Sequence, residues 1–553
     1  MLPADTDETT DPVADLHEAV LDAAAELTDG KRPDAARLSR PPKPDFGDYS
    51  SNAPMLLAPL LSQPPREVAG RLGELVTKRL GDDLARVDVA GPGFLNLFMS
   101  EQWFRHALAK ISAAGDDYGR GSPSHPERIQ VEFVSANPTG PANAATGRHA
   151  AFGDSLARIL AFAGHDVQRE YYVNDYGGQV RRFGESIKAR ARGEQPPEDG
   201  YQGEYVIELA QQIPGAADAD PDELALQGVE VMIGEVRATL ERYRVHFDHF
   251  FHERSLHESG AVERSIELLR EHGHVYESEG ATWLRTTALG DDKDRVLKRS
   301  DGGDETYLAS DIAYHEDKRE RGFDRIIDVW GADHHGHVAR MHAAWEALGG
   351  DRDRLELVIM QLVNLLEGGK RFQSSKRSGS FVGLDELIDD IGVDAARFFM
   401  LQRSHDTTLD LDLKLAREQS QENPVYYVQY AHARIASILR KAGEGRVAEA
   451  VGADLGAAGG GEGDGEVLHP SAAALLKQLL ELPEEARLAA ERRAPHRMTA
   501  YSLEVARSFS AFYRDCQVVG GEDEDFRIAL SVQARRVIAQ ALDLLGVEAP
   551  ESM

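Results

Sequence analysis

Four stretches of the chain carry residue types whose spacing suits chemistry. The first is Val134-Ser-Ala-Asn-Pro-Thr-Gly-Pro-Ala-Asn-Ala-Ala-Thr-Gly147, small and polar residues between a β-branched run and a helical one. Glycine and small side chains let backbone approach a ligand closely. The helix N-terminus behind them offers free N–H groups and the positive end of the macrodipole, which together favour phosphate. An ordinary strand-to-helix connection fits the same residues. The second stretch, Gly369-Lys-Arg-Phe-Gln-Ser-Ser-Lys-Arg-Ser-Gly379, brings together Lys370, Arg371, Lys376 and Arg377. Such a loop could neutralise a leaving pyrophosphate, since phosphoryl chemistry needs charge stabilisation more than covalent catalysis; a basic surface loop is the plainer alternative.

The third stretch, Trp330-Gly-Ala-Asp-His-His-Gly-His337, groups Asp333, His334, His335 and His337 after a strand. The His-x-x-x-His spacing of a helical zinc site is absent, so a nucleotide-pocket wall competes with a metal site. His246, His249, His252 and His257 form a looser cluster, expected on a solvated or interfacial helix face. The fourth set would suit a guanidinium. Glu253 and Asp311 supply carboxylates for planar, bidentate pairing, and Tyr307 and Asp311 share a helix face at i, i+4. Taken alone, these are ordinary polar residues.

Elements must hold these groups in place. Residues 129–134 read as a strand, and residues 145–163 as a helix with Phe152, Leu156, Ile159, Leu160 and Ala163 on one face. Gly164 is its stop signal. Residues 167–173 read as the next strand, which makes a βαβ unit and implies a parallel sheet. Later strands fall at 325–330 and 355–362, with a helix at 338–348 between them. Residues 183–285 look like a mostly helical insertion. Upstream, helices at 13–28 and 64–80 and a hairpin of 86–89 with 95–99 around the Ala90-Gly-Pro-Gly93 breaker indicate a small α+β unit. From 393 onward the pattern is helical throughout, interrupted by a Gly-rich linker at 452–465.

Bulk properties set bounds. At roughly 100–200 residues per domain, 553 residues allow three or four domains. Cys516 is the one cysteine, which excludes an intrachain disulfide or a multi-Cys zinc site and fits a reducing cytosol. No window offers the ~20 consecutive apolar residues of a membrane span, and the acidic N-terminus has no secretory pattern. Against 62 basic residues stand 94 acidic ones, a net charge of -32. That balance argues against a nucleic-acid partner unless a basic face is segregated locally.

Taken in order from about residue 10 to Met553, these segments resemble class I arginyl-tRNA synthetases. Asn137-Pro-Thr-Gly-Pro141 matches the run that leads into the family's His-x-Gly-His signature, but Asn143 and Thr146 stand where the histidines would be, and Ala145 replaces the glycine. Gln373-Ser-Ser-Lys376 matches Lys-Met-Ser-Lys at its serine and second lysine. Tyr171-Tyr-Val-Asn-Asp-Tyr-Gly-Gly-Gln179, Phe46-Gly-Asp-Tyr-Ser-Ser-Asn52, Ala90-Gly-Pro-Gly-Phe-Leu-Asn96, Val428-Gln-Tyr-Ala-His-Ala-Arg434 and the terminal Ala549-Pro-Glu-Ser-Met553 match as well.

The resemblance implies a multidomain α/β protein. It would have an N-terminal α+β domain at 1–110 that contacts the tRNA elbow. A Rossmann-like catalytic domain with a helical insertion (about 183–285) would span 111–392, and an α-helical anticodon-binding bundle 393–553. It implies ATP-dependent attachment of L-arginine to tRNA(Arg) through an arginyl adenylate, with Mg²⁺ on the phosphates, in a cytoplasmic monomer that does not cross a membrane. ATP would lie against Pro138, Thr139, Gly140, Pro141, Asn143, Thr146, Gly147, Asp333, His337, Ser375 and Lys376, with Lys376, Asn143 and Thr146 serving catalysis. Arginine would be held by Asn137, Glu253, Tyr307, Asp311 and His334. The altered signatures leave a catalytically inactive tRNA-binding paralogue as the alternative.

Overall fold

The structure, a computed structural model, describes residues 10–300, 305–371, 383–455 and 468–553. The first helix, Pro12–Leu27, starts where its chemistry dictates. Asp11 accepts hydrogen bonds from the N–H groups of Val13 and Ala14 at 2.9 and 3.2 Å, and Pro12 occupies the first turn, where a missing N–H costs nothing. Strands Leu84–Ala90 and Phe94–Met99 pair as the expected hairpin. Gly93 makes its turn at φ +139°, where a Cβ would meet Pro65 Cβ at 2.7 Å. The short strands Leu38–Ser39 and Tyr49–Ser51 complete an antiparallel sheet that packs on Pro12–Leu27 and Pro65–Leu80.

The central unit is a parallel sheet. Its elements in chain order are β1 (Arg128–Glu132), α1 (Ala144–Phe162), β2 (Asp166–Val173), β3 (His249–His252), α2 (Glu253–Glu258), α3 (Tyr307–Glu320), β4 (Arg325–Gly331) and β5 (Leu355–Met360). The strand order is β5-β4-β1-β2-β3, every pairing parallel. Both faces of β1 are covered, so Ile129 and Val131 are fully buried, and the polar Gln130 and Glu132 between and beside them are buried too. β3 corrects the expectation for the histidine cluster. His249 and His252 lie on an edge strand and only His257 is on a helix, because the pair Phe250-Phe251 gives this four-residue run enough apolar surface to join the sheet.

The register has an electrostatic consequence. Asp328 pairs with Glu132, and Glu132 with Glu170, so three carboxylates lie abreast on neighbouring strands. α3 answers with Lys318, which donates to Glu132 Oε2 at 2.6 Å and Asp328 Oδ1 at 2.7 Å. Arg321, just beyond the helix, grips Glu170 at 2.5 and 2.9 Å. Buried charges persist only when paired in this way.

The segment expected as a helical insertion is helical over Gly178–Ala191, Glu204–Gln212 and Pro221–Arg242. Beyond that it returns to the sheet as β3, then adds an antiparallel sheet of Val275–Ser278, Ala281–Leu284 and Arg295–Lys298. The C-terminal region is also not purely helical. Leu409–Asp412 is a strand that pairs in parallel with Val363–Glu367, drawn in by the alternation of buried Leu409 and Leu411. Long helices come after it, among them Pro424–Ala442, His496–Asp515 and Glu524–Leu544, packed around one core. Two buried arginines fasten α1 to the C-terminal half of the chain. Arg148 donates to the carbonyls of Gln361, Leu362, Ser404 and Thr407, and Arg397 donates to Asp154 Oδ2 at 2.6 Å and to Leu545 O. Among the described residues, no helix is long and apolar enough to cross a membrane.

Candidate active site

The loop after β1 leaves the sheet through two residues with left-handed backbone, Val134 at φ +69° and Ser135 at φ +40°. A β-branched residue rarely adopts that conformation, and such strain gathers where a site demands it. Ser135 holds the turn by donating to Glu132 Oε1 at 2.8 Å and accepting from Tyr172 N at 3.1 Å. Tyr171 OH donates to Ala136 O, and Tyr205 OH, from the inserted helix Glu204–Gln212, donates to Thr139 O at 2.6 Å. Pro138 and Thr139 are buried, while Asn137 is exposed and donates to Gln179 Oε1 at 3.1 Å.

Asn143 and Thr146 are a helix cap. Asn143 Oδ1 accepts from Thr146 N at 3.0 Å, and Asn143 N donates to Thr146 Oγ1 at 3.3 Å. This reciprocal pair satisfies two of the N–H groups that would otherwise be left open at the start of α1. Gly147 serves packing, since a Cβ there would meet Leu384 Cδ1 at 2.7 Å. Ala145, between the capping residues, is exposed toward the space in front of the loop.

A carboxylate pocket adjoins this loop. Glu253 opens α2 and is 3% exposed, with its Oε2 buried and without a hydrogen-bond partner among the described residues. Asp311 lies on the first turns of α3 with a narrow window to solvent. Burial pushes its pKa up to about 7; the His315 ring opposes that rise, and Glu253, Glu132 and Asp328 add to it. Tyr307, one turn before Asp311, is 60% exposed at the rim. Beneath Asp311, His315 Nδ1 contacts its backbone carbonyl at 2.7 Å, and Nε2 contacts Asp328 Oδ2 at 2.9 Å. Burial alone would raise Asp328; Lys318 and His315 overcome it and hold the carboxyl down at about 2. Beneath the two acids Lys318 pairs with both Glu132 and Asp328, whereas no lysine or arginine joins Glu253 or Asp311 among the described residues.

Beyond β4 runs the turn Ala332–His337, its Asp333, His334, His335 and His337 exposed. The His334 ring lies 5.7 Å from Trp330 and 5.4 Å from His337. Burial, with Arg340 and His334 nearby, lowers the His337 pKa, so its ring favours the neutral state. Ser375 and Lys376 lie outside the described residues. Lys370 and Arg371, a few positions before them, are exposed in a short strand that pairs with Val363–Glu367.

Comparison with known proteins fixes the family. Residues 14–99 match the arginyl tRNA synthetase N terminal domain, residues 223–436 the class I (R) tRNA synthetase catalytic domain, and residues 428–553 the DALR anticodon binding domain. The arginine–tRNA ligase of Heliobacterium modesticaldum is 43% identical over 550 residues, covering 96% of each chain. The chain belongs to the arginyl-tRNA synthetase family. The arginine–tRNA ligase of Carboxydothermus hydrogenoformans is 42% identical over the same share of both chains. Among solved structures, Thermus thermophilus arginyl-tRNA synthetase superposes with a TM-score of 0.76 at 25% identity, over 98% of this chain and 100% of that one. The parallel sheet, N-terminal α+β unit and C-terminal helices are thus those of a class I synthetase, and the chain is an aminoacyl-tRNA synthetase that attaches arginine to tRNA.

The structure brings Glu253 within electrostatic range of Asp311, sets exposed Tyr307 one helical turn before Asp311, and places the Pro138–Pro141 loop beyond the end of β1. The floor of Glu132, Asp328, His315 and Lys318 was not singled out from sequence. Its signal was present: Asp311, His315 and Lys318 succeed one another at offsets of four and three on one helix face, and Asp328 interrupts the apolar run Ile326-Ile-Asp-Val-Trp330.

Proposed function

We propose that the Glu253–Asp311 pocket holds the arginine guanidinium while the Asn137–Gly147 loop holds ATP. The enzyme then forms arginyl adenylate at the carboxyl ends of β1 and β4. The observation that carries this is a pair of neighbouring acids, one buried with an oxygen that makes no hydrogen bond among the described residues, the other with its pKa raised by burial and by like charge. Such a site is complementary to a planar cation with five donors. A lysine ammonium could not satisfy both acids, and a buried polar group left without a partner is costly.

In this reading Asn137 meets the α-amino end of arginine, and the arginine carboxylate faces the ATP α-phosphorus. Its oxygen attacks in line, the bond to the bridging oxygen breaks, and pyrophosphate leaves. N–H groups of the loop and of the first turn of α1, with Lys376, would stabilise the transferring phosphoryl. Mg²⁺ would enter on the nucleotide phosphates. A ribose hydroxyl of the tRNA's terminal adenosine then attacks the arginyl carbonyl and AMP leaves; no enzyme nucleophile is required. The tRNA partner gains support from the helical region. There Tyr430 and Tyr513 are exposed, and the Arg434 guanidinium lies 5.7 and 4.6 Å from their ring centres, a platform of the kind that stacks bases.

The test is arginine-dependent ATP–pyrophosphate exchange with and without total tRNA. Exchange that requires arginine supports the site; exchange that further requires tRNA places tRNA binding before adenylate formation. Intact tRNA binding with no exchange would instead favour the inactive paralogue.

A further inference from the structure

We propose that His257 and Tyr176 form a clamp that fixes the plane of the Glu253 carboxylate and thereby sets the selectivity of the pocket for a guanidinium. The proposal rests on Glu253 acting as a guanidinium partner.

The loop that leaves β2 grips α2 through two consecutive residues. Asp175, buried, accepts from Arg254 N at 2.9 Å through Oδ1, and its Oδ2 lies 2.8 Å from His252 Nδ1. Tyr176, 43% exposed, lays its ring over His257 with centroids 3.7 Å apart and planes inclined by 14°. His257 stands one turn beyond Glu253 on α2. Its Nε2 lies within hydrogen-bond distance of Ser310 Oγ, at 3.2 Å, and 3.9 Å from Glu253 Oε1, beyond a hydrogen bond but in range of an ion pair when the ring is protonated.

These contacts divide the labour between the two carboxylate oxygens of Glu253. Oε1 lies 3.9 Å from an imidazole that is itself stacked under Tyr176 and bonded to Ser310. Oε2 is buried and makes no hydrogen bond among the described residues, although the Tyr172 hydroxyl lies close to the carboxylate. A carboxylate left to itself turns about its last torsion, whereas bidentate pairing with a guanidinium requires a fixed plane. Ser310 precedes Asp311 on α3, so the same imidazole also ties α2 to the helix that carries the second acid. The separation of the two acids is then held by one ring, and Tyr176 holds the ring. An ammonium, with freely rotating donors, gains little from such a fixed geometry, whereas a planar fork gains most.

The experiment is steady-state aminoacylation by the full-length enzyme with tRNA, comparing Tyr176→Ala, Tyr176→Phe, His257→Ala, His257→Gln and Glu253→Gln. Tyr176→Ala and His257→Ala are expected to raise the arginine KM about tenfold, the scale of one weakened contact to a buried carboxylate. The ATP KM should move little, and the preference for arginine over lysine should narrow. Tyr176→Phe, which keeps the ring, and His257→Gln, which keeps a donor, should recover most of the loss relative to the alanine variants. An unchanged arginine KM in both alanine variants, alongside a raised KM in Glu253→Gln, overturns the clamp alone. An unchanged arginine KM in Glu253→Gln overturns the guanidinium reading beneath it. A parallel rise in both KM values with a lower melting temperature would make His257 merely structural and also overturn the clamp. Tyr176 is at the surface, so its variants carry the test if His257→Ala fails to fold.

Discussion

Arginine binding is expected to be linked to the ionisation of Asp311. Burial, with Glu253 close by, brings the pKa of this carboxyl to about 7 in the ligand-free protein. A guanidinium keeps its charge throughout the accessible range and pairs well only with the ionised acid. The apparent dissociation constant therefore scales as one plus ten to the power of pKa minus pH. That factor is roughly 11 at pH 6 and about 1.1 at pH 8, a tenfold weakening across the interval. Titration calorimetry at several pH values checks it, and repeating each point in buffers of different ionisation enthalpy counts the proton released per arginine bound. Asp311→Asn should abolish the pH dependence and weaken arginine about 100-fold, close to the upper end for a charge-assisted hydrogen bond. The same shift has a stability consequence. Because the folded-state pKa lies above the unfolded value of 3.8, ionisation works against folding as pH rises from the unfolded pKa to the folded one. Asp311→Asn should accordingly raise the melting temperature at pH 8 and leave it unchanged near pH 3. Arginine affinity that stays flat from pH 6 to pH 8, with no proton released, would refute the coupling.

The geometry also sets three outcomes elsewhere in the fold. Lys318→Met leaves Glu132 and Asp328 buried without their cation and should destabilise the protein by about 3–5 kcal/mol in urea unfolding, with part of the loss restored by adding Glu132→Gln. Asn143→Ala removes the cap of α1 and should cost about 1 kcal/mol of stability, whereas Asn143→Asp keeps the cap yet places an anion facing phosphate, so stability should hold while the ATP KM rises. Gly153→Ala would set a Cβ 2.0 Å from the buried Phe133 ring, and should cost about 1–3 kcal/mol by calorimetry without a selective effect on either substrate.

Local structure was legible where short-range chemistry decides it. The β1–α1–β2 unit is implied by one β-branched run, one apolar stripe and Gly164, and the structure places the helix at Ala144–Phe162. Two short elements escaped because four residues carry little periodicity: His249–His252 and Leu409–Asp412 become strands only because an existing edge is there to pair with them. At the candidate site, Asn143 and Thr146 were singled out through the resemblance, as residues expected beside phosphate. Their reciprocal hydrogen bonds appear only once the backbone turns into α1.

The order of the motifs, and hence the family, is written in the amino-acid sequence, as are the residue types that favour a cation pocket. How those residues act emerges only on folding. Asp328, Glu132 and Glu170 come abreast through strand register, and Lys318 reaches two of them from the helix above. Glu253 and Asp311, far apart in the chain, come within electrostatic range of each other, and an imidazole under a tyrosine ring joins their helices. Periodicity and capping depend on neighbours along the chain, whereas a perturbed carboxyl depends on desolvation and on charges that only folding brings near.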